Sequence, residues 1–78
     1  MPKLLEWRGH RFHFYSHEPD EPPHVHVSKG RAEAKIWLET LEVARNRRYA
    51  EHELTRLITV VEENRSAFLE AWNEYFGD

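Results

Sequence analysis

Two histidines, His24 and His26, follow directly on an acidic, proline-rich run, His17-Glu18-Pro19-Asp20-Glu21-Pro22-Pro23. On a strand, alternate side chains point the same way, with Cα atoms about 6.5–7 Å apart. Imidazoles so spaced can share a divalent metal, with His17 as a third ligand and Glu18, Asp20 and Glu21 close in sequence. The chain has no cysteine, so such a site would use imidazole and carboxylate. An H-x-H pair alone lacks the further ligands that define a zinc site. The plainer expectation is therefore a solvated sheet face without a cofactor, His26 opposite Glu33.

The same pair suits metal-free chemistry. Histidines titrating near neutrality can act as base and acid on an RNA 2′-hydroxyl and the leaving 5′-oxygen, with Lys35 or Arg11 holding the phosphate. Tyr15 and Trp37 would give bases a stacking platform on the same face. Aromatic residues on an open sheet face also mark protein–protein contacts. A second basic group, Arg45-Asn46-Arg47-Arg48, precedes a helical region. Helix N-termini attract anions, and Arg45, Arg47 and Arg48 would strengthen that for a phosphate. The bland alternative pairs one of them with the acidic helices.

These residues need a sheet to carry them. Pro2 to Ser16 reads as a hairpin turning at Arg8-Gly9, which pairs Trp7 with His10, Glu6 with Arg11 and Leu5 with Phe12. Leu5, Trp7, Phe12 and Phe14 then share one face, and Leu4, Glu6, Arg11, His13 and Tyr15 the other. Neither Pro22 nor Pro23 can donate to a ladder, and each biases the residue before it towards extended geometry, so the chain enters His24 already stretched. A second hairpin, His24–Ser28 with Arg31–Glu39, turns at Lys29-Gly30 and pairs His26 with Glu33 and His24 with Lys35. Val25, Val27, Ala32, Ala34, Ile36 and Leu38 form its apolar face; His24, His26, Glu33, Lys35 and Trp37 form the polar one. Leu41 and Val43 fit either an edge strand or a loop.

Leu54, Leu57, Ile58 and Val61 step as an amphipathic helix, and Phe68, Leu69, Trp72 and Phe76 repeat the stripe. One helix over residues 51–76 would be about 39 Å long at 1.5 Å per residue. The strands offer only about 20–27 Å to cover. A break near Glu63-Asn64-Arg65 is therefore predicted, and Gly77 ends the last helix.

The 78 residues bound one domain, at the small end of what folds unaided. Residues 1–50 hold nine Lys/Arg against seven Asp/Glu and five of the six histidines; residues 51–78 hold two against seven. Such a dipolar layout permits phosphate contacts from the first half and argues against indiscriminate coating of nucleic acid. No run approaches the length of a membrane span and none reads as a signal peptide, so a cytoplasmic setting is expected.

Arg11-Phe12-His13-Phe14-Tyr15-Ser16, Glu21-Pro22-Pro23-His24-Val25-His26-Val27, Ala34-Lys35-Ile36-Trp37-Leu38, Ala44-Arg45-Asn46-Arg47 and Glu70-Ala71-Trp72-Asn73-Glu74-Tyr75-Phe76 together resemble the family of small bacterial proteins catalogued as domain of unknown function 4160. The resemblance covers nearly the whole chain, and Pro-Pro-His-Val-His-Val is its most specific piece. It implies a single-domain bacterial protein encoded beside another small protein, hence a toxin–antitoxin-like pair, with no established activity. Ala50 stands where such chains often have a Ser or Asn helix cap, which bears on stability.

The expected fold is α+β: residues 1–78 as one domain, a small antiparallel sheet of two hairpins followed by two C-terminal helices on one face. The expected function is a non-enzymatic binding module whose uncovered histidine face meets a partner protein of the same operon, RNA or a second copy. The alternatives are the metal-independent endoribonuclease, with His24, His26 and Lys35, and the divalent-metal protein, with His17, His24 and His26.

Overall fold

The computed structural model describes residues 3–15 and 20–77, with the backbone alone for Lys3. Five strands run β1 Lys3–Trp7, β2 His10–His13, β3 His24–Lys29, β4 Ala32–Trp37 and β5 Val43–Arg47, followed by α1 Glu51–Glu63 and α2 Arg65–Phe76. They form one antiparallel meander in sequence order, β1-β2-β3-β4-β5. The class is α+β with two C-terminal helices, as predicted, and the sheet has one strand more than the four expected.

The first hairpin keeps its predicted register, Trp7 opposite His10 and Leu5 opposite Phe12. Arg8 and Gly9 both have positive φ, 52° and 84°, as a type I′ turn requires. The Arg8 guanidinium lies 5.0 Å over the Trp7 ring, a compensation for its left-handed backbone. A bulge between Lys3 and Leu5 removes Leu4 from the outer face, where strict alternation puts it, and Leu4 packs against the core.

The second hairpin is displaced from its predicted register. Lys29 pairs with Ala32, His26 with Lys35 and His24 with Trp37, so the turn is Gly30-Arg31. Gly30 has φ of 60° and holds the first central position, where a type II′ turn places glycine. Each partner moves by two residues, and because the pleat repeats every two, the two-face partition survives intact.

Residues 43–47 are an edge strand rather than a loop leading into a helix. Arg47 lies opposite Glu33 and Arg45 opposite Lys35, with an irregularity before Val43 meets Ile36. The helix break falls where length required it. Asn64 accepts α1 and starts α2: its backbone N–H reaches the Val60 and Val61 carbonyls, its side-chain amide donates to the Val60 carbonyl at 2.8 Å, and its carbonyl receives Phe68 N–H at 2.8 Å. Arg65 then donates to the Leu38 and Glu39 carbonyls, tying α2 to the end of β4.

Leu57, Val60, Val61, Phe68 and Trp72 cover the sheet face built from Phe12, Phe14, Val25, Val27, Ala34 and Ile36. Phe14 and Trp72 meet edge to face, ring centroids 5.2 Å apart. None of the helices among the described residues is long and apolar enough to cross a membrane.

The two turn glycines make a test of this geometry. A Cβ on Gly9 would sit 3.2 Å from the Lys29 Cε, whereas one on Gly30 would meet nothing within 4 Å. Both have left-handed backbones, and the exposed Lys29 side chain can move aside from a Cβ on Gly9, so Gly30→Ala and Gly9→Ala should each cost about 1 kcal/mol in urea denaturation. No loss at either position would contradict the left-handed backbone of both turns.

Candidate functional site

Alternation along β3 turns His24 and His26 away from Val25 and Val27, as predicted. The face they occupy, however, is not open. His24 is 1% and His26 2% exposed, so every residue from His24 to Val27 is interior. The Tyr15 ring lies over His26, centroids 4.2 Å apart, with His13 stacked at 5.9 Å on the neighbouring strand. His24 sits edge-on to His26 at 5.2 Å and to Trp37 at 5.5 Å, and the Trp72 ring of α2 lies 5.1 Å from it. The solvated histidine surface expected from polarity is thus a buried aromatic layer. An imidazole is flat and half apolar, and buries readily once its nitrogens have partners.

Those partners are visible. The Nδ1 of His24 lies 2.8 Å from the Pro22 carbonyl, which can only accept, so Nδ1 carries the proton. The proline pair thereby holds the imidazole as well as aiming the strand. The Nδ1 of His26 lies 3.7 Å from Glu33 Oε2. That carboxylate also accepts a 2.7 Å hydrogen bond from the Tyr15 hydroxyl, and its other oxygen lies 3.4 Å from the Arg47 guanidinium. The Tyr15 hydrogen bond holds Glu33 below its ordinary carboxyl range, outweighing burial, and the charges of His26, Arg47 and His13 add to it. Glu33 organises this layer, a role the residue pattern did not single out. A carboxylate on the same face as two histidines was the available signal.

The register places His13, His26, Lys35 and Arg45 in one row across β2 to β5, and Arg11, Ser28, Glu33 and Arg47 in the next. Lys35 is not aimed outward: its ammonium pairs with Glu21 and lies 4.8 Å over the Trp37 ring. Trp37 therefore has one face covered by Lys35 and its surroundings closed by His24, leaving it ill placed as a stacking platform. Arg11, Arg45, Arg47 and Arg48 are exposed. Two shallow pockets adjoin here. One, about 270 Å³, has His26 and Glu33 with Lys35, Arg45 and Arg47 around it. The other, about 350 Å³, runs from Tyr15 and Glu33 to Arg31, Arg47 and Arg48.

The anion site expected at a helix N-terminus is displaced. The arginines belong to β5 and its exit, and α1 begins at Glu51 with acidic residues in its first turn. Glu53 accepts the Ala50 backbone N–H at 2.9 Å, the half of a capping box that alanine leaves possible. The N-terminal end thus carries its own anions. His17, the third expected metal ligand, lies outside the described residues. Among the described residues no group of three or more His, Cys, Asp or Glu is arranged to hold a metal ion.

Burial holds His10 and His13 below the ordinary histidine range. The unfolded chain therefore takes up protons at higher pH than the fold does, and stability should fall as pH drops below about 6.5. Glu33 has the depressed value of a held carboxylate, so its contribution is present at neutral pH and lost on further acidification. Thermal melts between pH 8 and 4 should show Tm level above about pH 7 and falling below it, with His13→Asn flattening the upper part of the fall. Tyr15→Phe should cost about 1 kcal/mol at pH 7. A Tm constant from pH 8 to 5.5 would contradict the assignment.

Residues 9–73 match the family described as Domain of unknown function (DUF4160), and the chain belongs to that family. No curated protein and no solved structure matches it.

Proposed function

For this member of the DUF4160 family, we propose a non-enzymatic binding module of a two-gene, toxin–antitoxin-like system, whose arginine-bearing β4–β5 edge holds single-stranded RNA by its phosphates. The observation that carries this reading is the disposition of Arg45 and Arg47: two residues apart on an edge strand, exposed, and on the polar face. Arg31 and Arg48 extend the same basic border around the adjoining pocket. Guanidinium forks suit phosphate oxygens, and an edge strand leaves a backbone free to approach. The buried imidazoles are then the foundation of this surface, and Glu33 supplies the fixed charge that orients Arg47. The neighbouring small protein of the operon and a second copy are the other partners such a face suits.

A second reading retains the endoribonuclease. Its support is that His26 borders the pocket containing Lys35 and Arg45, with its Nδ1 near Glu33. There the carboxylate-backed imidazole of His26 would take the 2′-hydroxyl proton and return it to the leaving 5′-oxygen, with Arg45 on the phosphate.

Fluorescence anisotropy with a single-stranded RNA, titrated with salt, tests the binding reading. Arg45→Gln with Arg47→Gln should weaken binding and lower the salt slope by about 1.4, two phosphate contacts on a single strand. Absence of binding at low salt, or a slope the pair leaves unchanged, would sink it. The nuclease reading instead requires cleavage of that RNA to a 2′,3′-cyclic phosphate, lost in His26→Ala and with 2′-O-methyl substrate.

A further inference from the structure

On the helix-covered side of the sheet, away from the arginine groove, the tips of both hairpins and the start of α1 border an open pocket of about 220 Å³. Arg8 and Lys29 come from the two tips and Arg56 from α1, with Glu53 the one acid among its walls. Glu53 is already engaged by the Ala50 N–H. The Lys29 side chain passes beside Gly9 and lines the pocket. The three cations therefore face a shared space with a net positive balance.

His10 supplies its deepest polar group. The ring is 7% exposed, stacked on Trp7 at 5.7 Å, and its Nδ1 lies 2.9 Å from the Tyr49 hydroxyl. Burial pushes the Tyr49 hydroxyl up to about 12, so it stays protonated. At 6% exposed it needs an acceptor, and His10 Nδ1 is in reach. With the hydroxyl proton donated to Nδ1, a neutral His10 carries its own proton on Nε2, the nitrogen on the side of the ring away from Tyr49. The pocket, whose walls include His10, then combines a ring N–H donor with guanidinium and ammonium groups. Oxyanions are the ligands that such a donor set recognises.

The geometry points to a binding site for a terminal phosphate group, free or on a nucleotide, formed by His10, Lys29, Arg8 and Arg56. His52, on the first turn of α1, stands on its border. Trp7 is already occupied, with the Arg8 guanidinium over its ring and His10 stacked against it. The phosphate is thus the part of the ligand that these cations recognise.

The test is a proton NMR titration at constant ionic strength, following the Trp7 indole and His10 ring signals, with inorganic phosphate, adenosine 5′-monophosphate and adenosine as probes. Saturable shifts with phosphate or the monophosphate, and none with adenosine, are expected; tighter binding of the monophosphate would identify a nucleotide as the source. Lys29→Gln and Arg56→Gln, both at exposed positions, should each weaken the response about tenfold, the loss of one charge-assisted contact. Arg45→Gln with Arg47→Gln should leave it unchanged, which keeps this site separable from the RNA-binding edge. Shifts reproduced by chloride, an equal response to adenosine, or titrations indifferent to both Lys29→Gln and Arg56→Gln would overturn the assignment.

Discussion

The central strand is buried on both faces, and that constraint orders the rest of the molecule. Two helices cover only one side of the sheet, yet His24 and His26 on the opposite side are as inaccessible as Val25 and Val27. An imidazole placed there needs partners for its nitrogens, because an unsatisfied polar group in the interior costs several times what a hydrogen bond contributes. The Pro22 carbonyl serves His24, Glu33 sits beside His26, and Tyr15 both roofs His26 and fixes Glu33. Trp72 closes the remaining end from the far side of the chain. The polar layer behaves as a second, smaller core whose contents are aromatic and titratable.

This explains which parts of the fold were legible in the residue pattern. Alternation fixed the faces of β3 and β4, and the mismatch between helix length and strand length located the break at Asn64. Neither signal depends on distant residues. The register of the second hairpin escaped, because a shift of two residues leaves every side chain on its face. Only the position of Gly30 within the turn separates the two alternatives. Strand β5 was hidden because Val43-Ala44-Arg45-Asn46-Arg47 carries almost no apolar face, as an edge strand that meets solvent can afford.

The candidate site was half legible for a related reason. Residue types and parity brought His13, Tyr15, His24, His26, Glu33, Lys35 and Trp37 together. Their exposure depended on Tyr15 folding over the sheet, on Trp72 arriving from α2, and on Glu21 drawing Lys35 aside. Each is a contact between segments that no local pattern links. Polarity was a poor guide to position here, since histidine and tyrosine have an apolar body and a polar tip. What remains at the surface is arginine, the side chain least willing to be buried unpaired.

The strictly sequential strand order has a consequence for how the chain is made. Each strand pairs with the one just synthesised, so hairpins can close by short loops without waiting for distant partners. The apolar side of the finished meander nevertheless stays bare until residues 51–76 emerge to cover it. During that interval the sheet is a sticky intermediate. Charged Arg45 and Arg47 along its last strand then guard the growing edge against pairing with another nascent copy.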